Sequence, residues 1–163
     1  MLIFLVGFMG CGKSYVGRNL APLLGFDYID MDKYIEEKEE LSIKEIFEQK
    51  GENYFRQLEH QYLLEIDSEQ NLVVSTGGGA PCFFDNMEIM NKKGLTIYLN
   101  RSKDIVIERL LKGQHKRPLL SGFNAEQLAE FYDERLNTRK PFYEQAMLHA
   151  GDAEVEEIAT MVK

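Results

Sequence analysis

Residues Gly7-Phe8-Met9-Gly10-Cys11-Gly12-Lys13-Ser14 satisfy the pattern G-x-x-x-x-G-K-[ST] without a mismatch. This pattern restricts the fold severely, because it needs a strand to deliver the loop and a helix to receive it. Both are readable. Leu2-Ile3-Phe4-Leu5-Val6 is an unbroken apolar run, as expected of a central parallel strand covered on both faces. Tyr15, Val16, Leu20, Leu23 and Leu24 then recur at helical spacing, and Gly25 closes the helix. Between them the glycines let successive backbone N–H groups turn inward on phosphate oxygens, and the helix starting near Gly12 adds its positive end. Lys13 reaches the β- and γ-phosphates of a nucleoside triphosphate, and the Ser14 hydroxyl is suited to a magnesium ion. Gly10, Cys11, Gly12, Lys13, Ser14 and Tyr15 are therefore the expected nucleotide-binding residues, with Cys11 a passive spacer.

Further along, short apolar runs alternate with longer helical patterns, which predicts parallel βαβ units. Strands are expected at Tyr28–Asp30, Leu72–Ser75 and Leu95–Leu99, and a weak one between Ala146 and His149. Ser42 with Glu45 forms a capping box at the head of one helix. Other helices are expected from about Asn53 to Ile66, from Lys103 to Leu111, from Ala125 to near Pro141, and at the C-terminus. Lys112 to Asn124 has little periodicity. With no repeat or linker, the 163 residues read as one domain.

The loop alone specifies triphosphate binding, so the second substrate must be sought elsewhere. The formal net charge is −8 and the pI about 5.0, which argues against nucleic-acid binding. An anionic substrate must instead be drawn in by a local basic cluster. No apolar run approaches the length of a membrane helix. The two cysteines, Cys11 and Cys82, give neither a disulfide framework nor metal-ligand spacing. A cytoplasmic protein is expected.

Several motifs are candidates, each with a bland alternative. Asp30 and Asp32 follow the second strand, where carboxylates can hold a magnesium-bound water or accept a hydroxyl proton; the bland alternative is that Asp32 only caps the next helix. No acidic residue ends the third strand, so Asp30 is the best substitute for the usual metal-supporting carboxylate. Arg56 and Glu59 suit a surface ion pair or a carboxylate-binding fork held by its partner. Gly77-Gly78-Gly79 suits a plain turn or a close approach of backbone to ligand. Lys112, Lys116 and Arg117 suit a solvated loop or a lid that carries an arginine onto the phosphates. Of Arg135 and Arg139, one helical turn apart, at least one should face inward. His60, His115 and His149 lack partner patterns and read as non-catalytic.

Taken in order, these pieces resemble the shikimate kinase family. They are the phosphate loop, Asp30-x-Asp32, Gly51-Glu52-x-x-Phe55-Arg56-x-x-Glu59, Gly77-Gly78-Gly79, Arg117-Pro118-Leu119-Leu120 and Arg139-x-Pro141-x-Tyr143. The resemblance implies a three-layer α/β fold, a five-stranded parallel sheet flanked by helices. It also implies a lid over about 112–124 and substrate-binding helices over about 32–66. The activity implied is transfer of the γ-phosphate of ATP to the 3-hydroxyl of shikimate, with Mg2+, on the route to chorismate and the aromatic amino acids. Asp32, Lys13 and Arg117 would be catalytic. Arg56 and Arg139 would hold the shikimate carboxylate beside Gly77, Gly78 and Gly79, with Glu59 supporting Arg56. Arg109 would stack on adenine, and Ser14 and Asp30, the latter through water, would serve the metal. Arg139 is preferred to Arg135 because only it stands in the Arg-x-Pro-x-Tyr context. A monomer is expected. A kinase of gluconate or a nucleoside monophosphate, or a non-catalytic nucleotide-binding regulator, remains an alternative.

Overall fold

The computed structural model describes residues 1–113 and 120–163. Five parallel strands, β1 (Leu2–Val6), β2 (Asp27–Asp30), β3 (Leu72–Ser75), β4 (Leu95–Tyr98) and β5 (Leu148–His149), form one sheet in the order β2-β3-β1-β4-β5. β1 is central, with Phe4 in register with Val74 of β3 on one side and Thr96 of β4 on the other. Its period-2 alternation divides the core. Leu2, Phe4 and Val6 pack into one apolar cluster, while Ile3 and Leu5 pack into the other. All five are fully buried, which is why this strand reads as a continuous apolar run.

The second cluster is roofed by α1 (Lys13–Leu24) and α8 (Val155–Val162) through Val16, Leu20 and Ile158. The first is covered by α2 (Met31–Glu39), α3 (Ile43–Lys50), α4 (Glu52–Glu65), α5 (Asn86–Lys93), α6 (Lys103–Lys112) and α7 (Ala125–Tyr143). Sheet and two helical layers make the expected three-layer α/β architecture. The Ser42–Glu45 capping box is present at the head of α3.

Three details refine the sequence reading. α2 is capped by Asp30, whose side chain accepts from the Lys33 N–H, so Asp32 is not the cap. α7 ends near Pro141 as expected but runs through it: the missing proline N–H removes one rung, bonding resumes with Glu144 N–H to the Lys140 carbonyl (2.9 Å), and the last helical residue is Tyr143. α5 was not anticipated. It spans eight residues and buries Met87 and Met90 one turn apart, too short a stripe to stand out from its polar neighbours.

Phe4 has no exposed surface and sits on the middle strand. Phe4→Ala should therefore cost about 3–5 kcal/mol in urea unfolding; a loss below about 1 kcal/mol would mean that the first cluster is not the packed core described.

Candidate active site

The phosphate loop leaves the carboxyl end of β1 and enters α1 at Lys13. Gly10 and Gly12 adopt φ of 79° and 90°, left-handed values that a side chain would strain. Lys13 Nζ donates to the carbonyls of Gly7 (2.7 Å) and Phe8 (3.0 Å) and to Cys11 Sγ (3.8 Å), which anchors the ammonium over the loop. Cys11 turns its thiol down into the core, 1% exposed, as its reading as a spacer requires. Its N–H donates to the Phe8 carbonyl at 3.2 Å. Tyr15 is 56% exposed at the mouth.

β2 and β3 end beside this loop. Ser14 Oγ donates to Asp30 Oδ2 at 2.9 Å, so the hydroxyl and carboxylate expected to serve a metal are adjacent. At the position lacking an acid, Ser75 Oγ donates to the Lys13 carbonyl (2.7 Å) and ties β3 to the start of α1. Residues Gly10, Gly12, Lys13, Ser14 and Tyr15 of the loop and α1, Asp30 and Asp32 after β2, Gly78 after β3, and Arg109 of α6 line one cavity of about 360 Å³. Met9 and Thr76 complete it. Arg109 is folded onto the loop, so that a Cβ on Gly12 would strike its Nη1.

The site continues along the glycine run. A Cβ on Gly77 would lie 2.8 Å from both Asp32 Oδ1 and Glu59 Oε2. Those two oxygens are buried and lack a hydrogen-bond partner among the described residues. A Cβ on Gly78 would sit 3.4 Å from Arg139 Nη1, and one on Gly79 would sit 2.5 Å from Arg56 Nη1. Two carboxylates and two guanidiniums, from α2, α4 and α7, thus converge on three residues without side chains. Tyr143 OH donates to the Gly78 carbonyl at 2.5 Å and joins α7 to the run. Of the two arginines on α7, Arg139 is half-buried on this side. Arg135 is exposed and lies over the Phe131 ring at 5.1 Å.

Arg56 and Glu59 are not a surface pair. Arg56 Nη1 donates to Glu59 Oε1 at 2.7 Å, with the side chains 9% and 0% exposed. Burial pushes the Glu59 carboxyl up to about 7, outweighing the pull of Arg56 in the other direction. Burial likewise raises Asp32 to about 6; the charge of Asp30 adds to the rise and Lys13 opposes it. Both groups sit near the pH at which a base is most useful.

Sequence reasoning passed over Arg101. Its Nη1 donates to the carbonyls of Gly151 (3.0 Å) and Ala153 (2.6 Å) and its Nε to that of Cys11 (3.4 Å), lashing the loop before α8 to the phosphate loop. The available signal was its place just beyond the carboxyl end of β4, where such sheets form their ligand crevice. Arg117, expected in the lid, lies outside the described residues, as do Lys116 and His115.

A phosphate loop after the central strand of a β2-β3-β1-β4-β5 parallel sheet, opening on a pocket of carboxylates and arginines, defines a P-loop phosphotransferase. The shikimate kinase family model matches residues 9–163. A shikimate kinase from Parabacteroides distasonis is 46% identical over 90% of this chain and 84% of its own length. The crystal structure of shikimate kinase from Bacteroides thetaiotaomicron superposes with a TM-score of 0.90 at 40% identity, covering 99% of this chain and 96% of the other. Shikimate kinase from Acinetobacter baumannii in complex with shikimate gives 0.85 at 35% identity, covering 99% and 89%. This chain belongs to the shikimate kinase family.

The raised Asp32 value has a consequence for stability. Its ordinary value is 3.8 and its folded value about 6, so unfolding releases a carboxyl that ionises more readily. The folded state is therefore penalised once pH rises above 3.8, and fully so above about 6. Asp32→Asn should be more stable than the parent by about 3 kcal/mol at pH 7–8, an advantage that shrinks as pH falls towards 4. Unfolding curves with a pH-independent difference would contradict the assignment of Asp32 as a desolvated carboxylate.

Proposed function

We infer that this protein is an ATP-dependent shikimate kinase, transferring the γ-phosphate of ATP to the 3-hydroxyl of shikimate to give 3-phosphoshikimate and ADP. The observation that carries the reading is the convergence of Asp32, Arg56 and Arg139 on the glycine run beside the phosphate loop, in a chain of the shikimate kinase family. The shikimate bound by the Acinetobacter baumannii relative supports the same acceptor.

In the proposed reaction Arg56 and Arg139 fork the shikimate carboxylate, a reading supported by their approach to Gly79 and Gly78. Bidentate guanidinium contacts of this kind fix orientation as well as supplying energy. Glu59 holds Arg56 in place from its buried side. Asp32 accepts the proton of the attacking 3-hydroxyl, and its elevated proton affinity suits it to that task. Transfer is direct and in line, so the work is positioning and charge stabilisation. Lys13 and Arg117 meet the charge on the transferred phosphoryl group, Arg117 from a lid over 112–124. Arg109 packs on the adenine, and the backbone of Gly10, Cys11 and Gly12 cradles the phosphates with Tyr15 at the rim.

The paired Ser14 hydroxyl and Asp30 carboxylate fit a magnesium ion held by one protein oxygen directly and by the other through water. Magnesium bound there supplies further neutralisation of phosphate charge. No helix among the described residues is long and apolar enough to cross a membrane. With both cysteines free, we read the protein as cytoplasmic, and we take it to act as a monomer.

ADP release should be strong with shikimate and at background with gluconate, a nucleoside monophosphate or no acceptor; release with another acceptor would discard the roles of Arg56 and Arg139. Arg139→Ala should raise KM for shikimate by roughly tenfold or more with little change for ATP. Equal weakening of both substrates would point to misfolding. With Asp32 as base, kcat/KM should fall about tenfold per pH unit below about 6, and a flat profile between pH 5 and 7 would remove that role.

A further inference from the structure

We propose that Phe83 is a positioning residue that clamps the guanidinium of Arg56 in the plane from which it donates to the shikimate carboxylate, a proposal that rests on the reading of Arg56 given above. Arg56 is held at its edges by carboxylates, Nη1 on Glu59 Oε1 at 2.7 Å and Nε on Glu52 Oε1 at 3.4 Å. Edge contacts alone leave a planar group free to rock about the line joining them. What resists rocking is contact with its faces. Arg56 Cζ lies 4.3 Å from the centroid of the Phe83 ring, well within the range of a cation–π contact, while Phe55 is more distant at 5.3 Å. Gly79 supplies close contact as well, with room for no Cβ against Nη1 and Nη2. Nη2 makes no hydrogen bond to the described residues and is the donor left for a ligand.

The segment that carries Phe83 is built to hold it. The 3₁₀ turn Ala80–Cys82 closes with Cys82 N–H on the Gly79 carbonyl at 3.0 Å. Asn86, fully buried at the head of α5, donates from Nδ2 to the Ala80 carbonyl (2.8 Å) and from its N–H to the Phe83 carbonyl (3.2 Å). Phe84 then takes a left-handed backbone, φ 51°, which is rare for an aromatic residue and persists only where the surroundings impose it. Two consecutive phenylalanines part company there. Phe83 is half-buried over Arg56, whereas Phe84 is 60% exposed and rests on His60. A desolvated guanidinium gains most from a ring face, and Arg56 is 8% exposed. An aliphatic side chain of similar bulk fills the same space but offers no negative face.

The test compares Phe83→Leu with Phe83→Tyr in steady-state assays that vary shikimate and ATP separately. Phe83→Leu should raise KM for shikimate about tenfold, with KM for ATP and the thermal midpoint close to the parent. Phe83→Tyr, which restores the ring face, should return KM for shikimate to within about twofold of the parent. Equal KM for shikimate in parent and Phe83→Leu would overturn the proposal. So would equal losses in Leu and Tyr, or a rise in KM for ATP matching that for shikimate, since each reports packing rather than a π-face. Should Phe83→Leu unfold, a parent-like KM for shikimate in Phe83→Tyr with a raised KM in Phe83→Met supports the clamp, and equal KM values in both overturn it. Failure of the functional reading itself is separately visible, because the parent would then release no ADP with shikimate.

Discussion

The convergence of Asp32, Glu59, Arg56 and Arg139 depends on the absence of side chains at residues 77–79. β3 delivers this run beside the phosphate loop, and four ionic groups from three helices close on it to distances that a single Cβ would obstruct. The run therefore does two things at once. It lets Asp32 and Glu59 approach Gly77, Arg139 approach Gly78 and Arg56 approach Gly79, and it leaves backbone rather than side chains facing them. Tyr143, bonded to the Gly78 carbonyl and fully buried, fixes α7 to the same run, so Arg139 inherits its place from a core contact.

The electrostatics follow from that crowding. The chain carries a net −8, and its overall field repels an anionic substrate. Locally the balance is reversed by Lys13, Arg56, Arg109 and Arg139. Burial then adjusts the acids: Glu59 near 7 and Asp32 near 6 are carboxyls whose charged forms the site makes costly. Asp32 Oδ1 and Glu59 Oε2, left without partners, are the groups with most to gain from a ligand that brings hydroxyls to them. Stability is given up there in a form that binding can recover.

How much of this was legible follows from how local each signal is. The phosphate loop and β1 were read directly, because the glycine spacing and the double-sided apolar run are properties of adjacent residues. The parallel βαβ units followed from alternation and the three layers from resemblance, while the order of the strands came only with the structure. The state of Arg56 and Glu59 could not be read. Three residues apart on a helix, they look the same whether solvent or a protein wall lies above them, and only the packing of α4 decides. Asp32 as a cap was plausible for the same reason, until Asp30 was found in that place. The partners of Arg101 lie far off along the chain, so only its place beyond β4 hinted at it, and the setting of Phe83 depends on a left-handed turn that the sequence does not announce.

The most direct test of the central claim is shikimate and nucleotide binding by calorimetry in Gly79→Ala. A methyl group there would sit 2.5 Å from Arg56 Nη1, so the guanidinium must leave its position. Shikimate affinity should fall by at least about tenfold, with nucleotide affinity unchanged because the phosphate loop is untouched. Shikimate bound by Gly79→Ala as tightly as by the parent would contradict the claim that this glycine run organises the acceptor site.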